Sequence, residues 1–354
     1  MTPKNLIVLA VTAAAAIAAA AVSLNSGGAS SGIALSGPVF PGLIDRVNDV
    51  AKVTIEHRDK TLTLVRSGKG QWSMPESDNY AVSAKVAEKV VVQMADLNFY
   101  ELKTAKPDLY ARLHVADPKA AKAEARQIKL YDASGKVLAD LIAGRKRYNL
   151  VGSRKEGVYI RKPGNGQTWL AAGELDVEVH PRDWLVQQIL DVKQDSVKSA
   201  TVRHPDGTVI RVVKDDPKAR NFSLLDIPAG KKLQYDTDPD NLAGVIDQLE
   251  LDDARKAGFI TFAPDKTYAA EFVTRDGLKI EIDLQPKGEV DWVRIRASAL
   301  ADAQAPEKGA KSAAERAAEI NAKVKDWVYA PQTFKTARLK RTLKEMLTDD
   351  KPAS

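Results

Sequence analysis

Val53-Thr54-Ile55-Glu56-His57-Arg58-Asp59-Lys60-Thr61-Leu62 aligns with Ala200-Thr201-Val202-Arg203-His204-Pro205-Asp206-Gly207-Thr208-Val209, 147 positions further on. Each stretch alternates apolar and polar residues, breaks at turn residues and alternates again, the signature of a β-hairpin. The likeness continues in order. Gln71-Trp72-Ser73-Met74 matches Asn221-Phe222-Ser223-Leu224 as a short aromatic strand. A helical spacing of Val82, Val86, Val90 and Met94 to Leu97 is answered by Leu242, Val245, Ile246 and Leu249. Strand pairs follow at Arg126–Tyr131 and Val137-Leu138, and at Ala270–Thr274 and Leu278–Ile280. Val158-Tyr159-Ile160-Arg161 then matches Val293-Arg294-Ile295-Arg296, and Asp183-Trp184-Leu185 matches Asp326-Trp327-Val328. The fold expected is α+β: two tandem copies of a unit of mainly antiparallel strands packed on a helix.

The N-terminus sets the compartment. Leu6 to Leu24 holds 19 residues without a charge, preceded by Lys4. As a helix it would span about 28 Å, close to the hydrocarbon thickness of a bilayer. Positive charge stays on the cytoplasmic side, so the body is expected outside the inner membrane, on a single-pass anchor. The length favours an uncleaved transmembrane helix; a cleaved signal peptide, with small residues at Ala34 and Ser36, is the competing reading. Five segments result: 1–24 as anchor or signal peptide, 25–44 as flexible tether, 45–192 and 193–335 as the two repeats, and 336–354 as a basic C-terminal helix and tail.

With 354 residues, 44% hydrophobic and 28% charged, the chain is long enough for two packed units. It has no cysteine, which excludes disulfides, thiolate metal sites and cysteine nucleophiles. The net charge of +6 is spread with alternating signs, as on a solvated surface, so no nucleic-acid partner is expected.

The ordered set Gln71-Trp72-Ser73-Met74-Pro75, Met94-Ala95-Asp96-Leu97 and Ala111-Arg112-Leu113-His114-Val115-Ala116-Asp117-Pro118 resembles the bacterial family called domain of unknown function 4340. The last stretch is similar to that family's tyrosine-glycine-leucine-aspartate-x-proline turn. Leu113, Asp117 and Pro118 are kept, with Ala111-Arg112 and two extra residues as departures. Ala143-Gly144, Val158–Arg161 and Arg182-Asp183-Trp184 extend the resemblance over about residues 45–335. It implies an anchored extracytoplasmic accessory subunit, non-catalytic, of an ABC-type export or gliding-motility auxiliary system, with transporter subunits as partners and no cofactor. The alternative is a periplasmic ligand-binding or hydrolytic protein with a cleft between the repeats.

No catalytic or metal-ligating set emerges from spacing. His57, His114, His180 and His204 are not paired at ligand distances along the chain. Asp236-Thr237-Asp238-Pro239-Asp240-Asn241 with Asp247 approximates a calcium loop but lacks the glycine at its sixth position. The reading preferred is that Asp240 caps a helix. Gly68-Lys69-Gly70 and Gly164-Asn165-Gly166 read as turns between strands. The tryptophans Trp72, Trp169, Trp184, Trp292 and Trp327 read as core, with Trp184 and Trp327 at one repeat position. The site candidate is a basic loop, Arg145, Lys146, Arg147, Arg154 and Lys155, as a lipid or partner contact.

Overall fold

A computed structural model describes residues 37–150, 156–303, 305–306 and 309–350. The first sheet contains β1 (Val50–His57), β2 (Lys60–Arg66), β3 (Trp72–Met74), β4 (Tyr80–Val82), β5 (Asn98–Leu102), β6 (Arg126–Asp132), β7 (Val137–Arg147), β8 (Gly157–Arg161) and β9 (Thr168–Ala172). Its order is β4-β3-β2-β1-β6-β7-β8-β9-β5. The second contains β10 (Gln188–Leu190), β11 (Val197–Arg203), β12 (Val209–Val213), β13 (Ser223–Leu224), β15 (Leu249–Lys256), β16 (Tyr268–Thr274), β17 (Leu278–Lys287), β18 (Val290–Ala299) and β19 (Trp327–Pro331). Read from its other edge, its order is β13-β12-β11-β16-β17-β18-β19-β15-β10. Strand for strand, β3 to β9 with β5 correspond to β13 to β19 with β15. A small ribbon joins β14 (Lys231–Leu233) to β20 (Leu347–Asp349). The architecture is mixed, with mostly antiparallel sheets and few helices.

Alternation produces these strands. Val53 and Ile55 of β1, Leu62 and Leu64 of β2, and Ile128 and Leu130 of β6 all face one core. Helix α1 (Ala84–Asp96) adds Ala87, Val90, Val91 and Met94 from a single face. Smaller helices follow: α2 (Tyr110–Leu113), α3 (Asp238–Ala243), α4 (Ala313–Val324), α5 (Thr333–Lys340) and α6 (Leu343–Met346).

Several expectations are corrected. The second hairpin turn is longer: Arg203 pairs with Val209, and Ile210 rather than Val209 is the buried counterpart of Leu62. The helix read from Leu242 to Leu249 ends at Ala243, continues as one 3-10 turn to Ile246, and Leu249 opens β15. Trp184 and Trp327 do not share a repeat position. Trp327 lies in β19, the counterpart of the Trp169 strand β9, because α4 is inserted between β18 and β19. The basic C-terminal helix expected from residue 336 is broken at Arg341-Thr342, where Thr342 and Glu345 form a capping box that starts α6. The stretch 25–44 does not all hang free: Val39 N–H donates to Leu97 O (2.8 Å), Phe99 N–H to Gly37 O (2.9 Å), and Val39 is buried. The expected anchor Leu6–Leu24 lies outside the described residues. Among the described residues no helix is long and apolar enough to cross a membrane.

The sheets meet edge to edge. Ser83 N–H donates to Trp184 O (2.8 Å) and Val186 N–H to Ala81 O (2.9 Å), so the linker pairs with β4 before β10 joins β15. Tyr80 packs edge-on against Trp327 (4.8 Å) and Tyr329 (6.1 Å). Ser77 Oγ donates to Asp253 (2.9 Å), and Arg182 pairs with Asp252 (2.6 Å). Burial raises the Asp253 carboxyl against the lowering by Arg255.

Trp72 is buried among the apolar residues of the first unit. Trp72→Ala is expected to lower unfolding free energy by about 3–5 kcal/mol, read by chemical denaturation, because the cavity cannot close fully. A loss below about 1 kcal/mol would show that Trp72 is not part of a packed core.

Candidate functional site

Arg145, Lys146 and Arg147 do not sit in a loop: they are the last three residues of β7. Arg154 and Lys155 lie outside the described residues. Between β7 and β8, Ala143 pairs with Ile160 and Lys146 with Val158, so Gly144 and Arg145 together oppose Tyr159. This two-against-one bulge re-aims the side chains that follow. Arg145 lies over the Tyr159 ring (5.7 Å), and Arg147 donates to the Tyr159 hydroxyl (3.4 Å). That hydrogen bond holds the Arg147 guanidinium more firmly protonated.

Gly144 is required by a close approach. A Cβ there would lie 2.3 Å from Leu113 O and 2.7 Å from His114 O. The turn pressing on it is α2, ended by His114 in the left-handed region at φ 58°. Val115 behind it is buried with Tyr110, Ile142, Tyr159 and Leu170 in a second small core on the opposite face of the sheet. Arg161 fastens this turn, donating to Val115 O (2.9 Å) and lying over the Tyr110 ring (4.9 Å). Two segments that carry the family resemblance, Ala111–Pro118 and Ala143-Gly144, are thus in direct contact.

Beside the bulge is a cavity of about 360 Å³, lined by His114, Arg126, Gly144, Arg145, Lys146 and Glu178 among others. It opens where β6 has ended at Arg126, leaving the last residues of β7 unpaired on that side. Lys146 ion-pairs with Asp176, whose carboxylate also holds Lys89 (2.7 Å) and accepts from Gln93 (3.2 Å). The hydrogen bonds from Lys146 and then Lys89 hold the Asp176 carboxyl far below the usual carboxylate range. Arg126 contrasts with this. Its Nε is shut off from solvent and has no hydrogen-bond partner among the described residues.

The other sequence candidates have structural roles. His57 Nδ1–H donates to Ala125 O (2.9 Å). His204 stacks edge-on to Tyr268 (5.0 Å), its Nε2 is buried without a partner among the described residues, and burial lowers its pKa. The acidic loop is dispersed: Asp238 pairs with Arg341, Asp240 accepts weakly from Phe222 N–H (3.4 Å), and Asp247 accepts from Gln194 N–H (3.1 Å). Asp240 is not the cap. Thr237 holds that position, and Asp238 and Asp240 stand in the first turn, where negative charge suits the helix dipole. Among the described residues no three histidine or acidic side chains gather as a metal group would. Four tryptophans are buried; Trp327 is half-buried at the joint between sheets.

The sequence singled out Arg145, Lys146 and Arg147, though as a loop and not a strand end, and did not single out Arg126. The signal for it was the combination of a charged strand start with the glycine paired next to its partner Ala143. A pH test follows from Asp176. Its folded pKa is depressed, so its stabilisation is complete above the unfolded value of about 4 and is lost as pH falls toward the folded one. Asp176→Asn is expected to melt below the parent at pH 7, with the gap closing in acid. A gap that stays constant down to pH 2 would overturn this assignment.

No curated protein and no solved structure matches this chain. A family model described as "Domain of unknown function (DUF4340)" matches residues 72–272, which takes in β3 to β15 and every described residue of the pocket. That match covers more than half of the 354 residues, and the chain belongs to this DUF4340 family.

Proposed function

We propose that the chain is two tandem copies of one unit and works as a membrane-anchored, extracytoplasmic accessory subunit of an ABC-type export or envelope complex. It is non-catalytic and acts through contacts with other proteins. The observation that carries the reading is the uncharged run Leu6–Leu24 behind Lys4, which suits a single crossing of the inner membrane. The body behind it supports the same reading. Residues 37–43 run along β5 and bury Val39 and Leu43, so any tether leaves from one defined edge of the first sheet. The two sheets share linker pairing and one continuous apolar core, which suits a rigid spacer between partners. The export assignment rests on the family resemblance, and the body as a whole offers a large surface of paired, solvated charge for docking.

Fusions joined after residue 44 are expected to show activity with a reporter that works only after export, and none with a reporter that works only in the cytosol. Extraction in mild detergent should bring transporter subunits down with the chain. Activity of the cytosolic reporter would overturn the location. Export without any co-purifying membrane subunit would overturn the accessory role.

A further inference from the structure

We propose that the pocket at the β7 bulge binds a phosphate ester, with Arg126, Arg145 and Lys146 supplying the donors. The inference concerns the pocket alone and stands apart from the accessory role. Arg126 is the first ground. Its Nε is shut off from solvent without an acceptor among the described residues, as is that of Arg275, and Arg126 also lines a cavity in which a ligand can meet its donors. Charge is the second. Asp176 is shared between Lys146 and Lys89, and Glu178 is exposed, so the cavity keeps an excess of positive charge.

Donor number and size select the anion. A carboxylate is satisfied by one bidentate arginine, whereas a phosphate with three free oxygens calls for several convergent donors. Arg126, Arg145 and Lys146 line the same cavity, and Lys146 has two N–H groups beyond the one given to Asp176. At about 360 Å³ the cavity exceeds a bare phosphate and leaves room for what carries it. Glu178 offers an acceptor to a hydroxyl or ammonium group on the same ligand.

The second unit acts as an internal control. By register, Tyr268 stands where Arg126 does and Gln285 where Gly144 does. There β17 and β18 pair over ten positions without a bulge, and Gln285 Oε1 accepts from Ala263 N–H (2.7 Å). The unit therefore folds without a bulge, a glycine or an arginine at this place. Their presence in the first copy is not a demand of the architecture.

The test is calorimetric titration of the full chain in neutral detergent micelles with glycerol 1-phosphate, repeated with micelles carrying phosphatidic acid. Saturable binding is expected, weakened at least tenfold by Arg126→Gln and by Arg145→Gln, and unchanged by Lys311→Gln. Arg145 is exposed, so its variant keeps the test valid if the Arg126 variant melts early. Displacement of glycerol 1-phosphate by the phosphatidic acid micelles would identify a lipid headgroup as the source. Soluble binding without displacement would identify a free ester. Absence of binding to either probe, or equal affinity in both arginine variants and the parent, overturns the proposal.

Discussion

Backbone hydrogen bonding at sheet edges is the constraint on which this molecule depends. A nine-stranded antiparallel sheet has two edges, each a row of unpaired N–H and C=O groups able to recruit a foreign strand. Here β4 at one edge of the first sheet is occupied by Trp184–Val186, which then passes into β10 at an edge of the second. The linker thus closes the β4 edge and supplies the edge strand of the second sheet. The β5 edge is met by Gly37–Val39, and Lys323 Nζ reaches Ile189 O (3.0 Å) across β10. The remaining edge, β13, has only two residues and offers little to a partner. Because the edges are joined, apolar residues from both units form one core, and Tyr80 can pack across the seam on Trp327 and Tyr329.

Most of the fold was legible because alternation with period two survives wherever one sheet face is buried. The hairpins, the β6–β7 pair and α1 all follow from that rule or from helical spacing. The failures share a cause. Matching Trp184 with Trp327 treated similar tripeptides as equivalent, whereas pairing decides equivalence, and the inserted α4 shifts every later residue. The helix after Asp238 was read too long because apolar spacing continues through Leu249. The chain does not continue as helix there: Gly244 is a poor helix former at the end of α3, and Gln248 takes a left-handed φ of 47°. The break before α6 was readable, since Thr342-Leu343-Lys344-Glu345 is a capping-box sequence.

The site was half legible. A run of basic residues stands out in a sequence, but its setting does not. The bulge is a property of register between β7 and β8, and no local pattern announces it. Gly144, noted in the sequence only as part of the resemblance, is a strand glycine that lets two carbonyls approach. Lys146, read as part of a basic contact loop, is committed to Asp176 thirty residues away. Arg126 only opened a strand in the sequence, and its setting in the fold is what shuts its Nε off from solvent.

The matching strand orders of the two sheets let one place be compared in both. An arginine Nε shut off from solvent without an acceptor among the described residues is costly, and a domain of marginal stability tolerates few such features. Sharing one core spreads that cost over both units. In the second copy Tyr268 and Gln285 fill the equivalent positions with packed or hydrogen-bonded groups, and the β17–β18 ladder runs unbroken. That copy also carries α4, whose Ser312–Glu315 capping box and Asn321 hydrogen bonds to Ala297 (2.9 and 2.7 Å) brace β18. At this place the second unit is therefore the more regular of the two, and it contributes the edge to which the linker is fastened. The first has a bulge, a left-handed histidine and an arginine Nε without a partner among the described residues, all beside one cavity. The contrast lies in the end of β7 and in Arg126, and not in the strand order that the two sheets share.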